Sequence, residues 1–131
     1  RTRVACRDCY VLGRCLMLIM VKPDGTERRL VGTIITLAEH AGFKLLRAKR
    51  LRLSESRAKM LYKEHWLKSW FQDNINYITS GDVVALEFDG KRDDKLVASI
   101  RSTYGLDFRR NTIHCSEHED AEYRERLILF L

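Results

Sequence analysis

Six consecutive apolar residues, Leu16-Met17-Leu18-Ile19-Met20-Val21, stop abruptly at Lys22-Pro23-Asp24-Gly25, and this junction constrains the fold more than any other part of the chain. The run is far too short to span a bilayer. No polar residue alternates through it, so it reads as a central strand buried on both faces. Pro23 and Gly25 supply the turn that follows.

Downstream, apolar residues at Leu30, Val31, Ile34, Ile35, Leu37, Ala38 and Ala41 keep the helical period, and Gly42 is a suitable terminator, which predicts a first crossover helix over 30–41. Phe43 to Leu53 reads as a strand, with Ser54 placed to cap a helix from Glu55 to about Trp66. A second helical stretch runs from roughly Leu67 to Ile78 and closes at Ser80-Gly81. Val83 to Phe88 is another apolar strand ending at Asp89-Gly90. Leu96, Val97 and Ile100 give helical spacing over Asp93 to Arg101, Asn111 to His114 makes a last short strand, and Asp120 to about Leu129 a closing helix. The order β-α-β-(αα)-β-α-β-α predicts an α+β fold: a ferredoxin-like split βαβ antiparallel sheet with covering helices.

A chain of 131 residues with 45% hydrophobic and 32% charged residues fits one globular domain that encloses a core without staples. Scattered charges at the start do not make a signal-peptide pattern, so the expectation is a soluble, cytoplasmic protein with no membrane partner. The formal charge of +6 favours polyanionic partners such as nucleotides. Nucleic acid is a weaker candidate, because no recognised binding motif accompanies the charge. Cys6, Cys9, Cys15 and Cys115 form no evident disulfide framework, which suits a reducing compartment. Cys6-Arg7-Asp8-Cys9 has the spacing of a metal or redox pair, but no second pair completes it, and no metal site is assigned. Arg47, Lys49, Arg50 and Arg52 form a basic strip on the second strand, either a solvated edge or a docking surface for acidic tails.

The segment Arg110-Asn111-Thr112-Ile113-His114-Cys115-Ser116 sets one imidazole among small polar groups. Near neutral pH an unperturbed imidazole is largely uncharged, so one ring nitrogen can attack phosphorus if an acceptor holds the other. Taken alone, a histidine such as His114 is more often a satisfied structural residue than a nucleophile.

Five separated stretches change that balance: Val21 to Gly25, Arg28 with Leu30-Val31-Gly32, Tyr77-Ile78-Thr79-Ser80-Gly81, Ser99-Ile100-Arg101, and Arg110 to Ser116. In this order they resemble the nucleoside diphosphate kinase family, over nearly the whole chain from Cys15 to Leu131. The wording around Ser99 to Gly105 and His114 to Ser116 looks like the divergent branch that includes cilia- and flagella-associated members. The resemblance implies a phosphotransferase that moves a terminal phosphate between nucleotides through phosphohistidine, with Mg2+ carried on the bound nucleotide. It divides the chain into an N-terminal extension, 1–14, and a kinase-like domain, 15–131. The alternative it leaves is a weakly active or inactive domain with a structural or nucleotide-sensing role in an axonemal or other large assembly.

By the same resemblance His114 is the nucleophile, and Glu125 orients it directly or through Ser116. Lys22 approaches the transferred phosphate, Arg101 binds the nucleotide phosphates, Asn111 hydrogen-bonds the sugar, Tyr62 lies near the phosphates and Trp70 stacks on the base. Each also has a plainer reading. Lys22 is a strand-end lysine, Arg101 a helix-end arginine favoured by the macrodipole, Asn111 a turn residue and Glu125 a solvated helix carboxylate. Tyr62 and Trp70 at helical spacing suit a core.

Two departures stand out. Only nine residues, Lys91 to Ser99, separate Gly90 from Ile100, where typical members have a longer connection that supplies an arginine and a threonine to the terminal phosphates. Lys91, Arg92 and Lys95 are the charges left to replace them. By the resemblance the longer loop also makes trimer contacts in hexameric members, so its shortening leaves a dimer or a monomer open, with a homo-oligomer or a larger cytoskeletal assembly as the candidate partners. Cys115 stands where many members have glycine, as an inert buried thiol or an oxidisable group beside the nucleophile.

Overall fold

The computed structural model describes residues 15–131. The extension 1–14 and the Cys6, Cys9 pair lie outside the described residues. β1 (Leu16–Val21) occupies the middle of a four-stranded sheet, and every residue from Met17 to Val21 is buried. β3 (Val83–Asp89) pairs antiparallel with one side of β1 and β4 (Ile113–Cys115) with the other, while β2 (Lys44–Leu51) pairs with the far side of β3. The order is therefore β2-β3-β1-β4. Since every neighbouring pair is antiparallel, β1 and β2 run parallel around β3, and β3 and β4 run parallel around β1. These are the two split crossovers of the expected fold.

Helices cover both faces, which is why β1 shows no polar alternation. Strand geometry sends successive side chains to opposite faces. Met17, Ile19 and Val21 join Leu86, Phe88 and Ile113 under α2 (Val31–His40) and α5 (Asp94–Tyr104), which contribute Ile34, Ala38, Val97 and Ile100. Leu18 and Met20 join Val83 and Ala85 under α3 (Glu55–Leu61), α4 (Phe71–Ile78) and α6 (Glu119–Phe130). Fully burying each such Leu, Ile or Val stabilises the fold by about 1.5–3 kcal/mol, before the opposing chain entropy. Side-chain caps set three of the helix starts: the Ser54 hydroxyl accepts from the Arg57 N–H, Asp93 from those of Lys95 and Leu96, and His118 from that of Ala121. Among the described residues, no helix is long and apolar enough to cross a membrane.

Several boundaries differ from expectation. The Pro23 turn is a short helix, α1 (Pro23–Glu27), with Pro23 in the first turn, where its missing N–H costs nothing. Its Gly25 has no room for a side chain: a Cβ would lie 2.7 Å from Val21 Cγ1 and 3.0 Å from the Thr112 carbonyl oxygen. The helix expected to reach Trp66 stops at Leu61, and the one expected from Leu67 begins at Phe71, with a 3-10 turn (Lys63–His65) between them. Trp66 and Leu67 are exposed, so extending either helix through them would bury nothing. β2 carries an irregularity between Leu45 and Arg47, and α5 starts four residues after Gly90, making the connection after β3 very short.

The basic strip, with Arg47, Lys49 and Arg50 on β2 and Arg52 just past its end, is engaged within the chain. Arg47 pairs with Glu87, Arg50 with Asp82, and Arg52 donates to the carbonyls of Thr79 and Ser80. Lys49 reaches the Leu131 carbonyl oxygen at 3.5 Å.

Candidate active site

β4 is short, and its period decides where the chemistry sits. Ile113 and Cys115 point into the core under α2 and α5. His114, between them, therefore faces the opposite side, where its ring lies 5.0 Å from that of Tyr62. There Nε2 hydrogen-bonds Oε1 of Glu125, a buried carboxylate on α6. An ionised carboxylate only accepts, so it selects the tautomer with the proton on Nε2 and leaves the lone pair on Nδ1. The His114 side chain keeps 18% of its surface exposed, enough for a ligand to reach it.

The approach to β4 is fixed by an unusual backbone. Thr112 has φ of 80°, in the left-handed region that a β-branched residue rarely adopts, and it is fully buried. Asp24 of α1 holds it there: one carboxylate oxygen accepts the Thr112 N–H at 3.0 Å and the other accepts the Tyr77 hydroxyl. The Thr112 carbonyl oxygen in turn accepts the Lys22 N–H at 2.8 Å. This kink presents Asn111, whose Oδ1 accepts from Lys22 Nζ at 2.7 Å, and Nζ also donates to the Arg109 carbonyl oxygen at 3.1 Å. Burial, and next the Arg101 charge, lower the Lys22 pKa to about 8.

These groups open onto one cleft of about 340 Å³ at the β4 edge of the sheet. Lys22, Tyr62, Trp70, Arg101, Asn111 and His114 all line it. Half-buried Arg101 donates from Nε to the Ile113 carbonyl oxygen at 3.3 Å, and burial lowers its pKa from the ordinary value. Trp70 is half-buried at the rim, its ring 5.2 Å from that of His65. Tyr62 is buried, and desolvation, then the Glu125 charge, push its hydroxyl well above the ordinary tyrosine range, so it stays neutral.

A family profile described as nucleoside diphosphate kinase matches residues 16–97. A nucleoside diphosphate kinase of Carboxydothermus hydrogenoformans is 41% identical over 126 residues, covering 86% of this chain and 85% of that protein. One of Methanosphaera stadtmanae is 39% identical over 127 residues, covering 85% and 82%. The chain belongs to the nucleoside diphosphate kinase family. Solved structures agree: the Aquifex aeolicus nucleoside diphosphate kinase superposes with a TM-score of 0.81 at 27% identity, over 89% of this chain and 95% of that one. The halophilic nucleoside diphosphate kinase of Halobacterium salinarum, solved in complex with CDP, gives 0.80 at 34% identity, over 89% and 88%.

Of the residues to which the kinase-family resemblance gives a role, all but Ser116 and Glu125 line this cleft, and Glu125 reaches it through His114. Ser116 is buried beside them, but its Oγ has no hydrogen-bond partner among the described residues, and the link from Glu125 to His114 is direct. Cys115 is a buried free thiol that desolvation pushes up to about 12, which favours the inert reading. Sequence reasoning missed the Asp24, Tyr77 and Thr112 clamp, although all three lie in the motifs that carried the resemblance. It also left Arg92 unplaced, and Arg92 lines the cleft.

Proposed function

We propose that this chain is an active nucleoside diphosphate kinase, working through a phosphohistidine on His114. The observation that carries the reading is the Glu125 bond to Nε2, which leaves Nδ1 available beside a cleft rich in cations. Nδ1 attacks the terminal phosphorus of a nucleoside triphosphate, and the bond to the bridging oxygen breaks. That oxygen leaves on the nucleoside diphosphate with the electron pair. The imidazolium that forms keeps its proton on Nε2, where the Glu125 carboxylate balances the charge. A terminal oxygen of a second nucleoside diphosphate then attacks the phosphohistidine and reverses the sequence.

Phosphoryl transfer asks chiefly for positioning and charge neutralisation. Lys22 and Arg101 supply charge from the β1 and α5 sides, Asn111 offers its amide to a sugar, and Trp70 offers a ring face to a base. Stacking tolerates any base, which suits broad nucleotide use. Among the described residues, no group of His, Cys, Asp or Glu is arranged to hold a metal. Magnesium would arrive on the nucleotide phosphates, where it would neutralise charge.

The proposed unit is residues 15–131, with 1–14 as an extension. Nucleoside tri- and diphosphates are the partners of this reading, supported by the cations that line the cleft, and a homo-oligomer is proposed with them. The axonemal assembly and the cilia-associated branch draw no support from the relatives and structures above. Incubation with ATP labelled on the terminal phosphate and magnesium tests the reading. Acid-labile label on the wild type and none on His114→Ala is expected; absence from both, or equal label on both, refutes it.

A further inference from the structure

Arg92 lines the cleft, yet no part of the transfer has fallen to it. It lies in the short segment between β3 and α5. Its Nη1 donates to the carbonyl oxygens of Cys115, at 3.1 Å, and Ser116, and its Nε to Asp94 at 2.6 Å. On the other side of His114 in the chain, Arg101 donates to the Ile113 carbonyl oxygen.

The register explains this pair. Met20 faces His114, and the Lys22 N–H bonds the Thr112 carbonyl oxygen, so that carbonyl and the backbone groups of His114 point toward β1. Those of Ile113 and Cys115 point outward, along an edge that no further strand covers among the described residues. Two arginines thus occupy the place of a neighbouring strand at successive outward carbonyls, bracketing the nucleophile.

Arg92 spends only part of its donor fork there. Its Nη2 has no hydrogen bond to any described residue, and 23% of the side chain is exposed. Asp94 neutralises it weakly, because that carboxylate is 85% exposed and solvent screens it. A fixed guanidinium with a free N–H pair beside the nucleophile matches an oxygen-rich dianion.

We propose that Arg92 binds the terminal phosphate of the nucleoside triphosphate beside His114 while its remaining donors pin the end of β4. This rests on the phosphotransfer reading for where that phosphate lies. Of the cations in the short connection, Lys91, Arg92 and Lys95, Arg92 is the one that lines the cleft.

The test is equilibrium binding, with magnesium, of ADP and of the β,γ-imido analogue of ATP to wild type, Arg92→Gln and Arg92→Lys. A lost charge-assisted bond predicts that Arg92→Gln weakens the analogue about 10- to 100-fold and ADP less than about twofold. Arg92→Lys should recover part of the loss. Equal weakening of both ligands means that Arg92 only shapes β4, and no weakening means that it does not touch the phosphate; either overturns the proposal. If Arg92→Gln does not fold, Arg92→Lys is read by the same criterion. No transfer occurs in this assay, so a wild type that forms no phosphohistidine but passes it refutes the kinase reading alone.

Discussion

The carboxylate of Asp24 accepts the backbone N–H of Thr112 across 88 positions of the chain, and so holds the one kink from which β4 can start. Its second oxygen is satisfied by the Tyr77 hydroxyl, which in turn accepts the Asp24 N–H at 3.0 Å. Three elements, α1, α4 and the lead into β4, are locked by one buried side chain.

Asp24→Ala leaves the Thr112 N–H and the Tyr77 hydroxyl without their acceptor in a buried setting, each costing about 1–3 kcal/mol. A loss of about 3 kcal/mol in urea denaturation is expected, with Asp24→Asn losing about half. Activity should fall further than stability implies, because Asn111 and the Lys22 contact follow Thr112. A drop in kcat/KM below about tenfold in a folded Asp24→Ala would show that the kink survives without its clamp.

Ser116→Ala separates two routes from Glu125 to His114. The Glu125 bond is direct and the Ser116 hydroxyl is buried without a partner, so removing it deletes an unsatisfied polar group. Turnover within about threefold of wild type and stability unchanged or raised by up to about 1 kcal/mol are expected. A large loss of kcat would put the serine in the relay.

Much of this was legible in the sequence, and for physical reasons. The apolar run Leu16–Val21, unbroken by polar residues and ended by Pro23, reads as a strand covered on both faces, and helical spacing at Ile34, Ala38, Val97 and Ile100 points to the cover. His114 was identified by its neighbours. What the sequence hid depends on three-dimensional approach: Arg92 sits in a segment with no periodicity, and its hold on Cys115 and Ser116 exists only because β4 is an edge. Thr112 is equally opaque, since nothing local makes a threonine adopt positive φ; the distant Asp24 does. The end of α3 was misread because Trp66 and Leu67 keep the helical spacing but face solvent.

Glu125→Gln tests the tautomer. A glutamine can turn its amide N–H toward Nε2, which favours the ring form with the proton on Nδ1 and removes the nucleophilic lone pair. It also withdraws the charge that balances the phosphoimidazolium. A fall in kcat of about 100-fold with little change in nucleotide KM is expected from steady-state kinetics. A raised KM with kcat intact would instead make Glu125 a binding residue.

Lys22 predicts a pH response with a definite sign. Its pKa is near 8 in the folded protein against 10.5 unperturbed, because burial and the Arg101 charge disfavour the ammonium. Below about 8 both folded and unfolded chains hold the proton, and the cost of burying the charge is constant. Between about 8 and 10.5 the unfolded chain binds more protons, so this group makes folding more favourable as pH rises. Function moves the other way, since the neutral amine no longer attracts phosphate. The pH profile of kcat/KM, which reports the free enzyme, should therefore show a descending limb near 8. Lys22→Arg, if it folds, should lose that limb, because a guanidinium stays charged throughout the range. A limb that persists unchanged in Lys22→Arg would assign it to another group and leave Lys22 charged at the pH of catalysis.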